Sequence, residues 1–462
     1  GPARSRPGAS RPGRPPRPPE RVWNPGTPAD YYEYDGAGNL ASSRNRLADE
    51  WLYEVDARAH RIASTDPLGA RSYFAYDAQD LLREYVDPLG RTTAMEYDGA
   101  RNRTLRVDPA GGTTYYQYEP SGLLRCVRDR RGQFSYFAWD ERANVSHVND
   151  ALGQATYFAY NPTNERAAQV DPLGRVSHLE HDLRGRLVKA VNPIGAASYF
   201  AFDSRCDLIQ ETDALLRTTD HTYDGNRNRI LTLLPATADG VRNPTYWAYD
   251  PEERLASQRN ALDFETTWTY DALGRRQTQT DALGGVTYFA YSAAHQLSLQ
   301  LDARQSPSYS SYDRAGRLSE QRDALDQRTY FGFDLAGQQV LNLDALGRPT
   351  YFEYDPRGWQ RQTKSAIGAV NYLAFDPEGN RVRAVNPLGR ATYFTFDPLG
   401  RLSHTEDQLG GVTYVGYDRA GQTVLRLDEL GFPTYMEYDQ AGRSQRTLDP
   451  AGLVTYMAYD LV

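Results

Sequence analysis

The side chains that could do chemistry recur on a fixed beat. An aspartate opens an Asp-x-x-Gly step about every ten or eleven residues, as in Asp35-Gly36-Ala37-Gly38, Asp87-Pro88-Leu89-Gly90, Asp271-Ala272-Leu273-Gly274, Asp281-Ala282-Leu283-Gly284, Asp397-Pro398-Leu399-Gly400 and Asp449-Pro450-Ala451-Gly452. Rows of carboxylates invite acid–base chemistry or calcium binding. The same residue order is also what a type I turn asks for. Asp accepts from the turn backbone, Pro presets φ, and Gly tolerates the positive φ on the way out. That role occupies each carboxylate, and the Gly-Gly-x-Gly-x-Asp pattern of calcium β-rolls is missing. His60, His147, His178, His181, His221, His295 and His404 form no convincing metal-ligand pair. His178 and His181 are three apart in one expected strand and so face opposite sides of a sheet. Cys126 and Cys206 fall between a turn and the following strand, at a spacing that predicts neither a bond nor a metal site. There is no nucleophile–base signature, P-loop or dinucleotide fingerprint. The sequence therefore assigns no catalytic, cofactor-binding or metal residue, implies no cofactor, and argues against an enzyme. Asn102-Arg103-Thr104 and Asn144-Val145-Ser146 fit the glycosylation acceptor pattern.

The elements that carry these turns repeat every 21 residues. An aromatic before an Asp marks the register at Tyr34, Tyr76, Tyr97, Tyr118, Trp139 and Tyr160. His181, Phe202 and Tyr223 continue it, and after a slip of five residues it runs from Tyr249 to Tyr459, giving about 21 units. Repetition this strict outranks every other clue about fold. Stretches such as Thr156-Tyr157-Phe158-Ala159-Tyr160 are aromatic-rich with period 2, so each unit reads as a β-hairpin of two strands of roughly six residues. About 42 antiparallel strands at ~4.8 Å each would make a ribbon on the order of 200 Å long if flat. Sheets twist, so it must coil into a spiral.

Composition fits a thin sheet. Mean hydropathy is −0.69, yet aromatics make up 12% and tyrosines number 34. Tyrosine supplies a flat apolar body and a hydroxyl that reaches water. Net charge is −8 with the two signs interspersed, so no basic face for nucleic acid is expected. No apolar run has the length of a membrane span.

Residues 1–28 are a different material, an Arg/Pro/Gly-rich tail or linker that is either solvated or an arm docked on the array. Residues 29–462 are the repeat array. Its first units are degenerate, with Val55 at the aromatic position and Arg58-Ala59-His60 in place of a turn. Five extra residues near Leu234–Asn243 read as a longer loop at one edge. The sequence stops at Val462 in mid-unit, so the array is expected to continue past it. The residue before the marker alternates small and polar, as in Ala159, Glu180, Ala201, Thr222, Ala248 and Thr269. A narrow coil with two hairpins per turn would explain this 42-residue beat, and so would an ancestral duplication. In the first case Ala201 and Ala290 line a close-packed side, and glutamate there should disrupt packing.

Tyr270-Asp-Ala-Leu-Gly-Arg-Arg276, Tyr312-Asp-Arg-Ala-Gly-Arg-Leu318 and Phe396-Asp-Pro-Leu-Gly-Arg-Leu402, joined by Asp-Pro-Leu-Gly-Arg, resemble the YD repeats of the RHS family over about Tyr31 to Val462. The resemblance implies an all-β fold in which tandem hairpins form a continuous spiral sheet, either a hollow shell or a narrow solenoid or fibre. In bacterial polymorphic toxins and toxin complexes of that family the shell encloses a toxic C-terminal domain, and in teneurins the repeats belong to a cell-surface adhesion protein. The family's self-cleaving plug segment is not matched here. The expectation is a secreted or cell-surface structural scaffold whose partner is its own C-terminal cargo or toxin domain. The alternative is an extracellular adhesive fibre, polymeric through copies of itself and glycan-binding through exposed tyrosine and tryptophan rows.

Overall fold

The computed structural model describes residues 30–460, so the tail at 1–28 lies outside the described residues. The described chain forms 41 strands, from Tyr31–Tyr34 to Val454–Tyr456, one fewer than the repeat count suggested. Each strand pairs antiparallel with the next, as Arg71–Tyr76 does with Leu82–Val86 and Leu82–Val86 with Thr92–Tyr97, giving one meandering sheet. Among the described residues no helix is long and apolar enough to cross a membrane.

The turns form as their residue order dictates. At Asp87-Pro88-Leu89-Gly90 the Gly90 N–H donates to the Asp87 carbonyl at 2.9 Å, and the Asp87 N–H to the Arg91 carbonyl at 3.0 Å. Asp87 Oδ1 accepts from the N–H groups of Leu89 and Arg91, both at 2.9 Å, and Gly90 sits at φ 77°. The expected loss of a turn near Arg58 does not occur. Asp56-Ala57-Arg58-Ala59 closes in the same way, with Ala59 at φ 67°, because the Asp side chain nucleates the turn without glycine. Leu216 takes the same position at φ 61°, where a side chain costs about 1–2 kcal/mol. Leu216→Gly should raise stability by roughly 0.5–1 kcal/mol after the entropy glycine adds to the unfolded chain. An unchanged or lower urea midpoint would show that the Leu216 side chain earns its place through contacts instead.

The extra residues after Tyr223 do not form a loose loop. They lengthen one hairpin, to Arg229–Ala236 and Arg242–Tyr249, because Arg242 ties its base to the carbonyls of Thr218 and Leu233, both at 2.8 Å.

Register assigns two faces. Tyr73 lies opposite Val86, Phe74 opposite Tyr85 and Ala75 opposite Glu84, and a bulge then puts Tyr76 opposite Leu82. Tyr73 and Ala75 share one face, Phe74 and Tyr76 the other. The bulge before the marker recurs in each hairpin and adds twist.

The ribbon coils widely. Arg91 Nη1 donates to Gln338 Oε1 at 2.8 Å across 247 residues, and Arg175 Nη1 to Gln422 Oε1 at 2.8 Å across the same separation. The Arg130 N–H donates to Glu378 Oε1 at 2.7 Å across 248 residues. Arg131 reaches the carbonyls of Asp397 and Pro398, and Arg314 reaches Asp49. In each case a turn from the mid-unit edge of the first winding meets a turn that follows a marker aromatic in the second. One winding therefore takes about twelve units, or about 24 strands, giving a circumference of ~115 Å and a diameter of ~35–40 Å. The walls stand too far apart to pack at the ~10 Å of stacked sheets. Among the described residues the only buried hydrophobic ones are Ala63, Ala70, Cys126 and Ala196, and no large side chain is fully buried. The coil is hollow.

This overturns the narrow coil with two hairpins per turn. On the Tyr73 face several of the residues before the marker contact their cross-strand partner within the same hairpin. Glu180 binds Lys189 Nζ at 2.7 Å, Thr395 binds His404 at 2.9 Å, and Glu353 accepts from Gln362 at 3.1 Å. Gly332 and Gly416 face Leu341 and Leu425, whose Cβ atoms would lie 3.1 and 3.2 Å from an added Cβ. Size and charge at this position answer to the partner across the hairpin. Ala201 and Ala290 are exposed, so glutamate there should change stability by less than about 0.5 kcal/mol. A large drop in melting temperature for either variant would restore the close-packed reading.

Candidate functional site

The repeat motif is used up by structure. The marker hydroxyl reaches back to the preceding hairpin, where it satisfies a carbonyl at the strand start next to the bulge. Tyr97 donates to the Leu82 carbonyl at 2.9 Å, Tyr270 to Leu255 at 2.8 Å and Tyr354 to Gln339 at 2.7 Å. Trp139 does the same with its indole N–H to Leu124 at 2.8 Å, which explains why Trp replaces Tyr there. Burial pushes the hydroxyl pKa values of Tyr118, Tyr223 and Tyr354 up, so these groups stay donors. Phe at this position keeps a second contact. The Arg four residues after the turn Asp lies over the next marker ring, as Arg317 does over Phe333 at 4.7 Å and Arg401 over Tyr417 at 4.4 Å. The same arginines bind the second oxygen of their own Asp, as in Arg317–Asp313 at 2.7 Å. The Arg186 guanidinium, with backbone N–H groups of Arg186 and Arg184, holds the Asp182 carboxyl down at about 2 against its desolvation. Each of these aspartates is a turn acceptor and ion-pair partner, with no free valence for catalysis.

The two acceptor-pattern asparagines have the same kind of employment. Asn102 Nδ2 donates to Asp98 at 3.1 Å and Asn144 Nδ2 to Asp140 at 3.0 Å. A glycan on either nitrogen would disrupt the turn bond.

The histidines remain dispersed. His178 and His181 lie on one strand with alternate facing. His221 is buried, with Nδ1 2.9 Å from Thr232 Oγ1 and Nε2 3.2 Å from Glu211 Oε1. That order of hydroxyl, imidazole and carboxylate resembles a nucleophile, base and orienter. Thr232 is only 7% exposed, so a substrate carbonyl cannot reach its hydroxyl, and the group serves as a satisfied buried imidazole. Cys126 lies in mid-strand rather than beside a turn, where burial pushes its thiol pKa up, and Cys206 occupies a turn's fourth position at φ 72°.

Two larger features stand beside the repeat motif, one an exposed tyrosine row as expected and one that the sequence did not show. The first is a second tyrosine row, three residues before the marker, on the opposite face. Tyr73, Tyr115, Tyr157, Tyr288, Tyr351 and Tyr414 are 41–51% exposed. From Tyr288 to Tyr435 the row is unbroken, with members two strands apart, roughly 10 Å, whereas Ala94 interrupts it between Tyr73 and Tyr115. Arginines stand over several of these rings, as Arg322 does over Tyr309 at 4.1 Å. The same 21-residue beat carried the signal, but the marker before Asp drew the register. The second is the seam between windings. There Arg130 Nη1 binds Asp108 Oδ2 of its own winding at 2.7 Å while its Nε lies 3.4 Å from Glu378 Oε1 of the next. Nothing in the local sequence pairs residues 248 apart.

The RHS Repeat family profile matches residues 76–114 and 249–286. Among solved structures, the crystal structure of TcdB2-TccC3-TEV superposes with a TM-score of 0.69 at 13% identity, over 91% of this chain and 28% of that one. TcdB2-TccC3 without its hypervariable C-terminal region gives 0.68 at 14% identity, with the same two coverages. A Photorhabdus luminescens Tc holotoxin pore carrying a TccC3 mutation gives 0.68 at 13% identity, again over 91% and 28%. The chain thus spans about 28% of the length of the solved chains it matches, and at such identities the likeness establishes the fold alone. No curated protein sequence matches it significantly. Residues 76–114 and 249–286 thus carry the RHS repeat, and the spiral sheet shares the fold of these structures.

Proposed function

We propose that this chain is a wall segment of a hollow, non-enzymatic shell, secreted or carried at the cell surface, that encloses or presents a polypeptide cargo of the toxin class. The observation that carries this reading is the winding of about twelve units per turn, closed on itself by the seam. A coil that wide without an internal core has room for a polypeptide. The exposed tyrosine row suits such a lodger, because flat rings with a hydroxyl edge make contacts that tolerate many sequences. One of the solved structures that share the fold is a Tc holotoxin pore, which supports the cargo class. The fibre reading loses its main support, a coil of two hairpins per turn, because neighbouring windings lie about 250 residues apart. Residues 29–462 are taken as one array on this reading, with 1–28 a separate tail.

Protease protection tests the enclosure. In the full-length gene product, polypeptide outside the repeats should resist protease while the seam is intact and become digestible in a seam variant. Equal digestion in both would remove the enclosing role, and images of the purified chain showing a solid rod would remove the hollow wall itself.

A further inference from the structure

On the Tyr73 face, the space above a small residue before the marker depends on its partner across the hairpin. Gly332 and Gly416 face Leu341 and Leu425, whose side chains fill it. Elsewhere a charged residue stands in the leucine's place, as Glu84 does opposite Ala75 and Arg383 opposite Ala374. Long charged side chains carry their heads toward water, which leaves the floor open. A cavity results in each winding, at the same place in the repeat. One of about 320 Å³ is lined by Ala63, Tyr73, Ala75, Glu84 and Val86, the other, of about 560 Å³, by Gln362, Tyr372, Ala374, Arg383 and Val385. Both fall within the ~300–1,000 Å³ of small-ligand sites. Both lie in mid-strand on the face of the sheet, away from the turn edges at which windings meet.

The larger cavity holds an uncompensated cation. Arg361 and Gln362 both bind Glu353, each at 3.1 Å. Among the described residues Arg383 has neither an ion pair nor a hydrogen bond, and its guanidinium rests 5.6 Å from the centre of the Tyr393 ring. Tyr372, 49% exposed, supplies a flat wall, and Val385 an apolar one. A guanidinium with its donors free takes a carboxylate through two parallel hydrogen bonds. A second ring packs offset or edge-on against tyrosine. The smaller cavity has the opposite charge. There Arg71 is held by Glu54 at 2.7 Å, and among the described residues Glu84 has no ion pair.

We propose that the cavity at Tyr372, Ala374 and Arg383 binds an aromatic carboxylate, with its ring against Tyr372 above Ala374 and its carboxylate on Arg383. The Glu84 cavity, built from the same repeat positions, rejects this ligand by like charge. The site stands independently of the enclosing role, since it needs only the folded face of the sheet.

Saturation-transfer NMR of the chain with 2-naphthoate as the probe tests it. The expected result is saturable binding with a dissociation constant on the order of 0.1–1 mM, in keeping with a ligand of about thirteen heavy atoms. Arg383→Gln should raise that constant about tenfold or more, and 2-naphthalenemethanol, the same ring without the charge, should bind the parent chain weaker by a similar factor. Ala374→Leu, which puts back the missing filler, should remove saturable binding. Glu84→Gln should leave it unchanged. Melting temperatures should hold in all three variants, because Ala374, Arg383 and Glu84 do not sit in a packed core. If Ala374→Leu does lower the melting temperature, Tyr372→Leu replaces it as the test of the wall and should weaken binding several-fold. Absence of saturable binding overturns the proposal. So does binding that Arg383→Gln leaves unchanged, or equal binding of the neutral alcohol.

Discussion

Replacing Arg130 with alanine should lower the stability of the coil by about 3 kcal/mol, because removing one partner of a buried ion pair leaves the other charge uncompensated. Arg130 spans the seam, binding Asp108 at 2.7 Å while its backbone N–H holds Glu378. Asp108 has a side chain only 4% exposed. Desolvation pushes its pKa up, and Arg130 together with the N–H groups of Gly112 and Ala110 more than offsets this, so the carboxyl lies below its ordinary value. Without Arg130 those two N–H bonds, at 2.9 and 2.8 Å, remain, and they cannot neutralise the charge. A urea melt checks the size of the loss. Hydrogen exchange should localise it, with protection lost around Glu378–Asn380 while hairpins remote from the seam keep theirs. Asp108→Ala in the same background should recover part of the loss, since the orphaned charge goes with it. A loss under about 1 kcal/mol, or one spread evenly over all hairpins, would mean that the seam contributes little and the coil is held by strand pairing alone.

The second large effect is a collective acid transition. Turn carboxyls at several hairpins spread along the ribbon, among them Asp35, Asp98, Asp182, Asp250 and Asp344, lie below their ordinary values. At Asp182 the Arg186 guanidinium is the main cause, and Arg254 and Arg348 act in the same way on Asp250 and Asp344. At Asp35 the Asn39 side chain leads, and at Asp98 the backbone N–H of Asn102. A carboxyl with a folded pKa below the unfolded value of ~3.9 stabilises fully above that value and loses its contribution as pH falls toward the folded value. Asp182, at about 2, sets the lower end of the window. Each exposed turn matters little, but the motif recurs in almost every hairpin. Melting temperature should therefore be flat from about pH 8 to 5 and fall steeply between about pH 4 and 2. A melting temperature that holds down to pH 2 would show that the turns do not depend on ionised aspartate.

Local chemistry was legible from the residues. Asp first and Gly fourth placed the turns, period 2 placed the strands, and the 21-residue beat placed the hairpins. Even where glycine was missing, at Ala59 and Leu216, the aspartate held the turn. The Ala201 and Ala290 positions were misread because the 42-residue beat was referred to coil packing, whereas neighbouring windings lie about 250 residues apart. The exposed tyrosine row was expected from the letters, and the structure supplied its 41–51% exposure.

The sequence by itself determined the hairpin, its turns, its bulge-prone aromatic and its repetition, because each depends on residues within about 20 positions of one another. The tertiary structure alone decided how many hairpins make one winding and which edge meets which. A coil of about 24 strands turns by only ~15° per strand, a small angle beside the ~20–25° rotation between ordinary neighbouring strands. A few degrees either way would change the number of units per turn, and no single residue carries so small a bias. The contacts that fix it, Arg91 on Gln338, Arg130 on Glu378 and Arg175 on Gln422, join residues about 250 apart, which become neighbours only once the whole winding has closed.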